Sequence, residues 1–281
     1  MLPELYAFAD ETHPEIDLQI RALLRNGLRG LEIRDVDGTN VSSITAEKAR
    51  EVREKLDAEG LTTWSIGSPI GKSELTEDPA IENERLKRTL ETADILGAKR
   101  IRIFSFWQRP EKDPADDTEE VIERLGNFAE IAKGSGVLLC HENEKGIFGD
   151  NAARCRILLD RVPEIAAVFD PANFVQVGQD TLAAWALLRD RVDYMHIKDA
   201  LSSGDVVPPG RGEGHVEEIA KQYMAQGGTR FTIEPHLWNA AVIKTLENGE
   251  QTSVLGEKYI YRNSDEAFDA AVQSFHALIG A

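Results

Sequence analysis

Short runs of β-branched, aromatic and aliphatic residues alternate with longer amphipathic stretches, and the alternation repeats eight times along the chain. The strand candidates are LYAFA (5–9), GLEIR (30–34), TTWSIG (62–67), RIRIFSF (100–106), VLLCHE (137–142), IAAVFD (165–170), YMHIK (194–198) and RFTIEP (230–235). Helix candidates lie between them near 14–26, 45–59, 80–97, 117–133, 150–161, 180–189 and 215–226, with a last one near 264–279. In the third helix Leu86, Leu90, Ala93 and Leu96 fall at helical spacing, and Gly97 follows as a stop. The last helix opens on Ser264 with acidic residues in its first turn and carries Phe268, Val272, Phe275 and Ile279 on one face.

Strand starts separated by roughly 25 to 38 residues suit βα units joined by right-handed crossovers. Eight such units predict an α/β fold, a (β/α)8 TIM barrel closed as one domain over 1–281, a length such barrels routinely reach. A doubly wound open sheet is the alternative, but it usually carries a Gly-rich phosphate loop after its first strand, and AFADETHPE has none. Two segments exceed what a connection requires, PIGKSELTEDP (69–79) and residues 236–263. Both belong on the C-terminal face of a barrel, where they are candidate lids.

Composition narrows the function classes. Hydrophobic residues at 42% and charged residues at 29% are ordinary for a soluble globular protein, so disorder is not indicated. A formal charge of -17 argues against nucleic-acid binding through a broad basic surface. No apolar run approaches the roughly 20 residues that span a bilayer, and the N-terminus lacks a basic region leading into an apolar one, so a cytoplasmic protein without a membrane partner is expected. Cys140 and Cys155, the only cysteines, fall in a strand-like and a helix-like segment and read as reduced packing residues.

The chemistry concentrates at strand ends. The fifth strand ends at Glu142, the sixth at Asp170, the seventh carries His196, and the eighth ends at Glu234. One such residue alone is usually a solvated loop residue, a helix cap or a hydrogen-bonded core histidine. Four at the same C-terminal level are different, because three converging carboxylates repel strongly unless a cation lies between them. Oxygen-rich donors with one imidazole suit Mn²⁺, Mg²⁺, Co²⁺ or Zn²⁺. The competing explanation is a set of salt bridges to Arg102, Lys198 and similar residues.

The series HEN, FDPAN, HIKDA and IEPH resembles the xylose-isomerase-like barrel superfamily of sugar isomerases and epimerases, which includes tagatose 3-epimerase, inosose isomerases and relatives of endonuclease IV. The resemblance covers essentially the whole chain. GLEIRDVDGTNV, WSIGSPIGK, RIRIFSF and SDEAFDAAVQSFHAL are similar to a branch described only as sugar phosphate isomerase/epimerase. It implies one divalent ion, commonly Mn²⁺, on Glu142, Asp170, His196 and Glu234, with Glu142 and Glu234 exchanging a substrate proton through an enediolate. Ketose epimerases have a histidine three residues after the metal aspartate and an arginine six after the metal histidine. This chain has Asn173 and Ser202 there, a departure that counts against a tagatose-like substrate and leaves the metal site intact. The three-zinc cluster of the endonuclease branch needs further histidines that the six in this chain do not obviously supply.

Several residues are candidate substrate contacts. Lys198 lies two beyond His196 and His236 two beyond Glu234, so each shares its ligand's face if the strand continues. Glu144 follows the metal glutamate, Arg102 alternates with Phe104 and Phe106, Glu32 and Arg34 end the second strand at the mouth, and Asn173 holds the family's substrate position. Trp64 and Trp107 are candidate pocket walls. Arg211, in the Gly- and Pro-rich SSGDVVPPGRGEGH, is the candidate for a substrate phosphate. The expected partner is a small sugar or cyclitol, with a homo-oligomer as a further expectation. Three functions compete: isomerisation or epimerisation, elimination from a keto-sugar or oxidised glycoside, and sugar binding without catalysis.

Overall fold

The computed structural model describes residues 2–238, 254–255 and 259–280. Its centre is a closed barrel of eight parallel strands in which each strand pairs with its sequence neighbours and the first closes against the last. We label them β1 (Glu4–Ala7), β2 (Gly30–Ile33), β3 (Thr62–Gly67), β4 (Arg100–Ile103), β5 (Leu138–Glu142), β6 (Ala166–Phe169), β7 (Val192–Ile197) and β8 (Arg230–Ile233). The crossover helices are α1 (Ile16–Arg25), α2 (Ala46–Ala58), α3 (Pro79–Leu96), α4 (Thr118–Ala132), α5 (Ala152–Arg161), α6 (Thr181–Leu188), α7 (Val216–Ala225) and α8 (Ser264–Ile279). The expected eight-unit barrel is therefore the fold. No helix among the described residues is long and apolar enough to cross a membrane.

Local chemistry sets the helix limits. Thr45, Asp78, Asn151, Asp180 and Asn263 each accept a backbone N–H in the first turn of the helix they precede. Gly97 and Gly280 end α3 and α8 in the left-handed conformation that side chains with a Cβ resist. The alternation of each strand then divides two cores. Most apolar residues pack between barrel and helices, where Phe169, Trp185, Tyr223, Phe231 and Phe275 make successive ring contacts of 5.1 to 6.3 Å that tie β6, α6, α7, β8 and α8 together.

Inside the barrel a smaller cluster of Tyr6, Trp64, Cys140, Val168 and Tyr194 fills the lower layer. Trp64 stacks on Tyr6 at 5.6 Å and meets Tyr194 edge-on at 6.0 Å, so it plugs the barrel floor instead of walling a pocket. Both cysteines are free and buried. One step further along the strands the inward positions turn polar, and that change of layer marks the site.

The C-terminal face carries elements the periodicity did not predict. These are a short helix at Pro171–Gln176 and ribbons pairing Asp35–Val36 with Thr39–Asn40 and Asp199–Ala200 with Asp205–Val207. Of the two candidate lids, 69–79 folds in over β4. Gly71 has φ +83, and a Cβ there would stand 2.3 Å from the Phe104 carbonyl oxygen, so this close crossing requires glycine. The other, 236–263, lies largely outside the described residues, although Val254–Leu255 pairs with Asp205–Val207.

The loop carrying Arg211 is fixed from below. Asp199 accepts four backbone N–H groups, from Ala200 and Gly214 on Oδ1 and from Gly210 and Gly212 on Oδ2, each at 2.9 Å. Asp199→Ala strips these donors of their acceptor and is expected to cost about 2–4 kcal/mol. Urea unfolding measures this; a loss below about 0.5 kcal/mol would show the loop held by other contacts.

Candidate active site

Four strand ends place their side chains at one point. Glu142 closes β5, Asp170 follows β6 as the N-cap of the short helix, His196 lies in β7, and Glu234 follows β8. One ligand-type atom from each lies within 4.8 Å of the others, and all four residues are buried. His196 Nδ1 stands 2.8 Å from Glu142 Oε1 and 3.5 Å from Glu234 Oε2. Donors held about 2.1 Å from one ion lie at most about 4.2 Å apart, so these side chains need to close by only about half an ångström to share it.

Backbone contacts hold the arrangement. Asn143, next after Glu142, accepts the Asp170 N–H and donates to the Asp170 carbonyl, both at 2.9 Å, which locks the ends of β5 and β6. Asp170 Oδ1 accepts the Asn173 N–H, which leaves Oδ2 facing the cluster. His141 points the other way along the pleat, toward Ser105 Oγ at 2.9 Å, and burial lowers its ring pKa to about 3.

The salt bridges of the competing explanation are present. Arg102 Nη1 is 3.2 Å from Glu142 Oε2, and Lys198 Nζ is 3.2 Å from both Asp170 Oδ2 and Glu234 Oε2. They do not balance the charge. Among the described residues seven carboxylates gather at this end of the barrel, Asp10, Glu11, Glu32, Glu142, Glu144, Asp170 and Glu234, and their ion pairs run to four fixed cations, Arg34, Lys72, Arg102 and Lys198, and to His196. Carboxylates outnumber the fixed cations, an excess that protons on His196 and on the carboxylates share. Burial, reinforced by Glu234 and Glu142 against the opposing Lys198, pushes Asp170 up to about 7. Against its own burial, His196 is pushed well above its ordinary range by Glu142 and Glu32. Two cluster oxygens, Glu142 Oε2 and Asp170 Oδ2, meet Arg102 and Lys198 as ion pairs at 3.2 Å without hydrogen-bond geometry. Excess carboxylate with one imidazole, its donor atoms within 4.8 Å of one another, is a set a divalent cation fits, and this buried cluster could hold one.

A second grouping, Glu11, Glu234 and His236, has ligand-type atoms equally close together. There the positive charge comes from the protein. The Arg34 guanidinium reaches Asp10 at 2.8 Å, Glu11 at 3.4 Å and Glu234 at 3.2 Å while lying over the Phe8 ring.

The remaining candidates divide. Lys198 belongs to the cluster, and Asn173 Nδ2 donates to the Asn143 carbonyl at 2.9 Å and reaches Glu142 Oε1 at 3.4 Å. His236, in a left-handed conformation past the end of β8, approaches the far oxygen of Glu234 at 3.5 Å. Glu144 pairs with Lys72 of the 69–79 segment at 2.9 Å, and both line a cavity with Trp107. Glu32 stands behind His196 instead of at the mouth. It is fully buried, accepts from His196 Nε2 at 3.0 Å and from Tyr194 Oη at 2.7 Å, and its position follows from a register shift between Leu31 and Glu32. Arg211 is exposed and is not brought to the cluster, because the Asp199 bonds hold its loop back. Asp10, Glu11 and Lys72 escaped the sequence reading, although Asp10 and Glu11 follow β1 at the level that singled out the other strand ends.

Comparison with known proteins bears on the fold and the family. Solved structures that superpose on nearly the whole chain include the IOLI protein with a bound zinc atom (TM-score 0.74, 14% identity, 99% of this chain and 98% of that one). Others are the probable 3-DHS dehydratase AsbF of petrobactin synthesis from Bacillus anthracis (TM-score 0.75, 15% identity, 98% of both chains) and D-psicose 3-epimerase with D-tagatose from Clostridium cellulolyticum H10 (TM-score 0.72, 15% identity, 98% of this chain and 99% of that one). Identities this low carry the fold alone. No curated protein matches the sequence. The family model described as xylose isomerase-like TIM barrel matches residues 20–247, and the chain belongs to that family.

Proposed function

We propose that the chain is a divalent-metal-dependent isomerase or epimerase of a sugar or cyclitol, with Glu142, Asp170, His196 and Glu234 holding one ion, Mn²⁺ foremost. The observation that carries this reading is the meeting of four buried donor atoms within 4.8 Å of one another, at the barrel end where such folds place catalysis. A divalent ion there supplies the positive charge that polarises a substrate carbonyl and makes the neighbouring C–H acidic.

The protein's own groups do the rest. Glu142 and Glu234 each turn one oxygen to His196 and the other to an arginine, Arg102 and Arg34 respectively. Against its own burial, Lys198, His236, His196 and Arg34 hold Glu234 well below the usual carboxylate range, the ionised form a proton-abstracting base requires. One glutamate removes the proton beside the carbonyl, and the other returns a proton to the opposite face or to the adjacent carbon. Lys198, buried between Asp170 and Glu234, donates to the oxygen on which negative charge develops. Asn173 Oδ1, buried without a hydrogen-bond partner, accepts a substrate hydroxyl.

Glu32 acts through His196. By accepting from Nε2 it leaves Nδ1 to face the cluster, the carboxylate–histidine arrangement that fixes a ligand's tautomer. Glu32→Gln is expected to weaken Mn²⁺ binding by about 10- to 100-fold, read by competition titration. Unchanged affinity would reduce Glu32 to a packing role.

The second reading is elimination of a β-substituent after the same proton abstraction, and the dehydratase among the structural relatives favours it. Incubation of the metal-replete protein with ketoses, inososes and 3-keto-glycosides, followed by product mass and NMR, separates the two. Isomerisation preserves mass and elimination lowers it. No conversion across the panel, with metal bound, would overturn both.

A further inference from the structure

A cavity of about 450 Å³ opens at the ends of β2, β3 and β4, and its lining is unlike the acidic chain around it. Arg34, Lys72, Arg85 and Arg102 face it, with Asp35 the single carboxylate among its lining residues. Two buried polar atoms of that lining have no hydrogen-bond partner, Ser42 Oγ and Arg102 Nε, in residues 3% and 6% exposed. Asp35 Oδ1 is already engaged, accepting from Asn40 Nδ2 at 3.2 Å.

The four cations have carboxylate partners behind them: Asp10, Glu11 and Glu234 for Arg34, Glu144 for Lys72, Glu82 for Arg85, and Glu142 for Arg102. Those contacts do not exhaust them, because a guanidinium has five N–H groups and an ammonium three. The cavity therefore offers mainly charged donors and a free hydroxyl. A neutral polyol wants acceptors as well as donors, whereas an oxyanion uses donors alone. Arg102 also links the cavity to the cluster, since the residue whose Nε lacks a partner reaches Glu142 Oε2 through Nη1 at 3.2 Å.

We propose that this cavity binds an oxyanion, a carboxylate or phosphate group, carried by the substrate whose carbonyl end reacts at the cluster. The site itself rests on the cavity; only its assignment to the substrate rests on the isomerase reading.

The test is calorimetric titration of the full chain with inorganic phosphate and, separately, with D-gluconate, before and after chelator treatment. Saturable binding of either anion to the metal-free protein is expected, weakened at least about tenfold by Ser42→Ala combined with Arg85→Gln and unchanged by Arg211→Gln. Circular dichroism of the variants confirms that they fold. Phosphate alone binding points to a sugar phosphate, gluconate alone to a sugar acid, and both to a site that accepts either. No saturable binding up to about 20 mM overturns the proposal. So does equal binding by wild type and variant, or binding that needs the metal, which would put the anion on the ion. Anion binding with no turnover of any sugar would refute the isomerase reading and leave the cavity site standing.

Discussion

Saturating Mn²⁺ is expected to raise the unfolding midpoint of the chelator-treated protein by about 5–10 °C. An ion present at about 100 times its Kd stabilises the folded state by about 2.7 kcal/mol, and a domain of this size gains about 2–4 °C per kcal/mol. The direction follows from the excess of carboxylates over the fixed cations Arg34, Lys72, Arg102 and Lys198, which a divalent ion offsets. Asp170→Asn, which removes a ligand's charge, and His196→Ala, which removes a donor, should each lose most of the shift. The salt-bridge explanation makes the opposite forecast, because a cluster already neutralised by arginine and lysine gains nothing from an ion. Thermal scans with and without Mn²⁺ distinguish them, and an identical shift in wild type and both variants would place the ion elsewhere.

Glu142→Gln should lower proton exchange into substrate by about 10³-fold or more, since the amide can neither take the proton nor hold the ion as a carboxylate does. Its stability is expected to change by less than about 2 kcal/mol in the metal-free protein. Breaking a buried ion pair ordinarily costs more, because it strands the partner's charge. Here the partner, Arg102, also bonds the Ser68 carbonyl at 3.2 Å, and the lost charge comes from a cluster with too many carboxylates. Activity and denaturation measured on the same sample check this. Inactivity with a collapse in stability would make Glu142 a structural residue first.

The fold was legible because the barrel's eight units each announce themselves by a change from strand to helix periodicity, and the end of α3 by Gly97, whereas the caps Thr45 and Asp180 emerged only from the structure. The four strand-end residues were legible for the same reason: Glu142, Asp170 and Glu234 interrupt or close apolar runs at a common level. Asp10 and Glu11 obey that rule too, but they open a 3-10 turn beside ETHPE and read there as ordinary loop acids. Glu32 lay one step off because sequence spacing does not reveal the register shift that turns it beneath His196. Arg211 drew attention through its Gly-rich loop, yet the glycines serve Asp199, whose oxygens a Cβ at Gly212 or Gly214 would meet at 2.3 and 2.7 Å. The cationic cavity was illegible for a different reason. Its lining comes from the ends of three strands and from α3, which only closure of the barrel brings together.

The most direct measurement of the central claim is solvent exchange in deuterium oxide, with the protein first loaded with Mn²⁺ and then stripped by chelator, on ketoses, inososes and 3-keto-glycosides read by NMR. The account predicts deuterium at the carbon beside the carbonyl of at least one of them in the loaded protein, lost on stripping and restored by Mn²⁺ but not in Glu142→Gln. Exchange that persists undiminished in the stripped protein would contradict it.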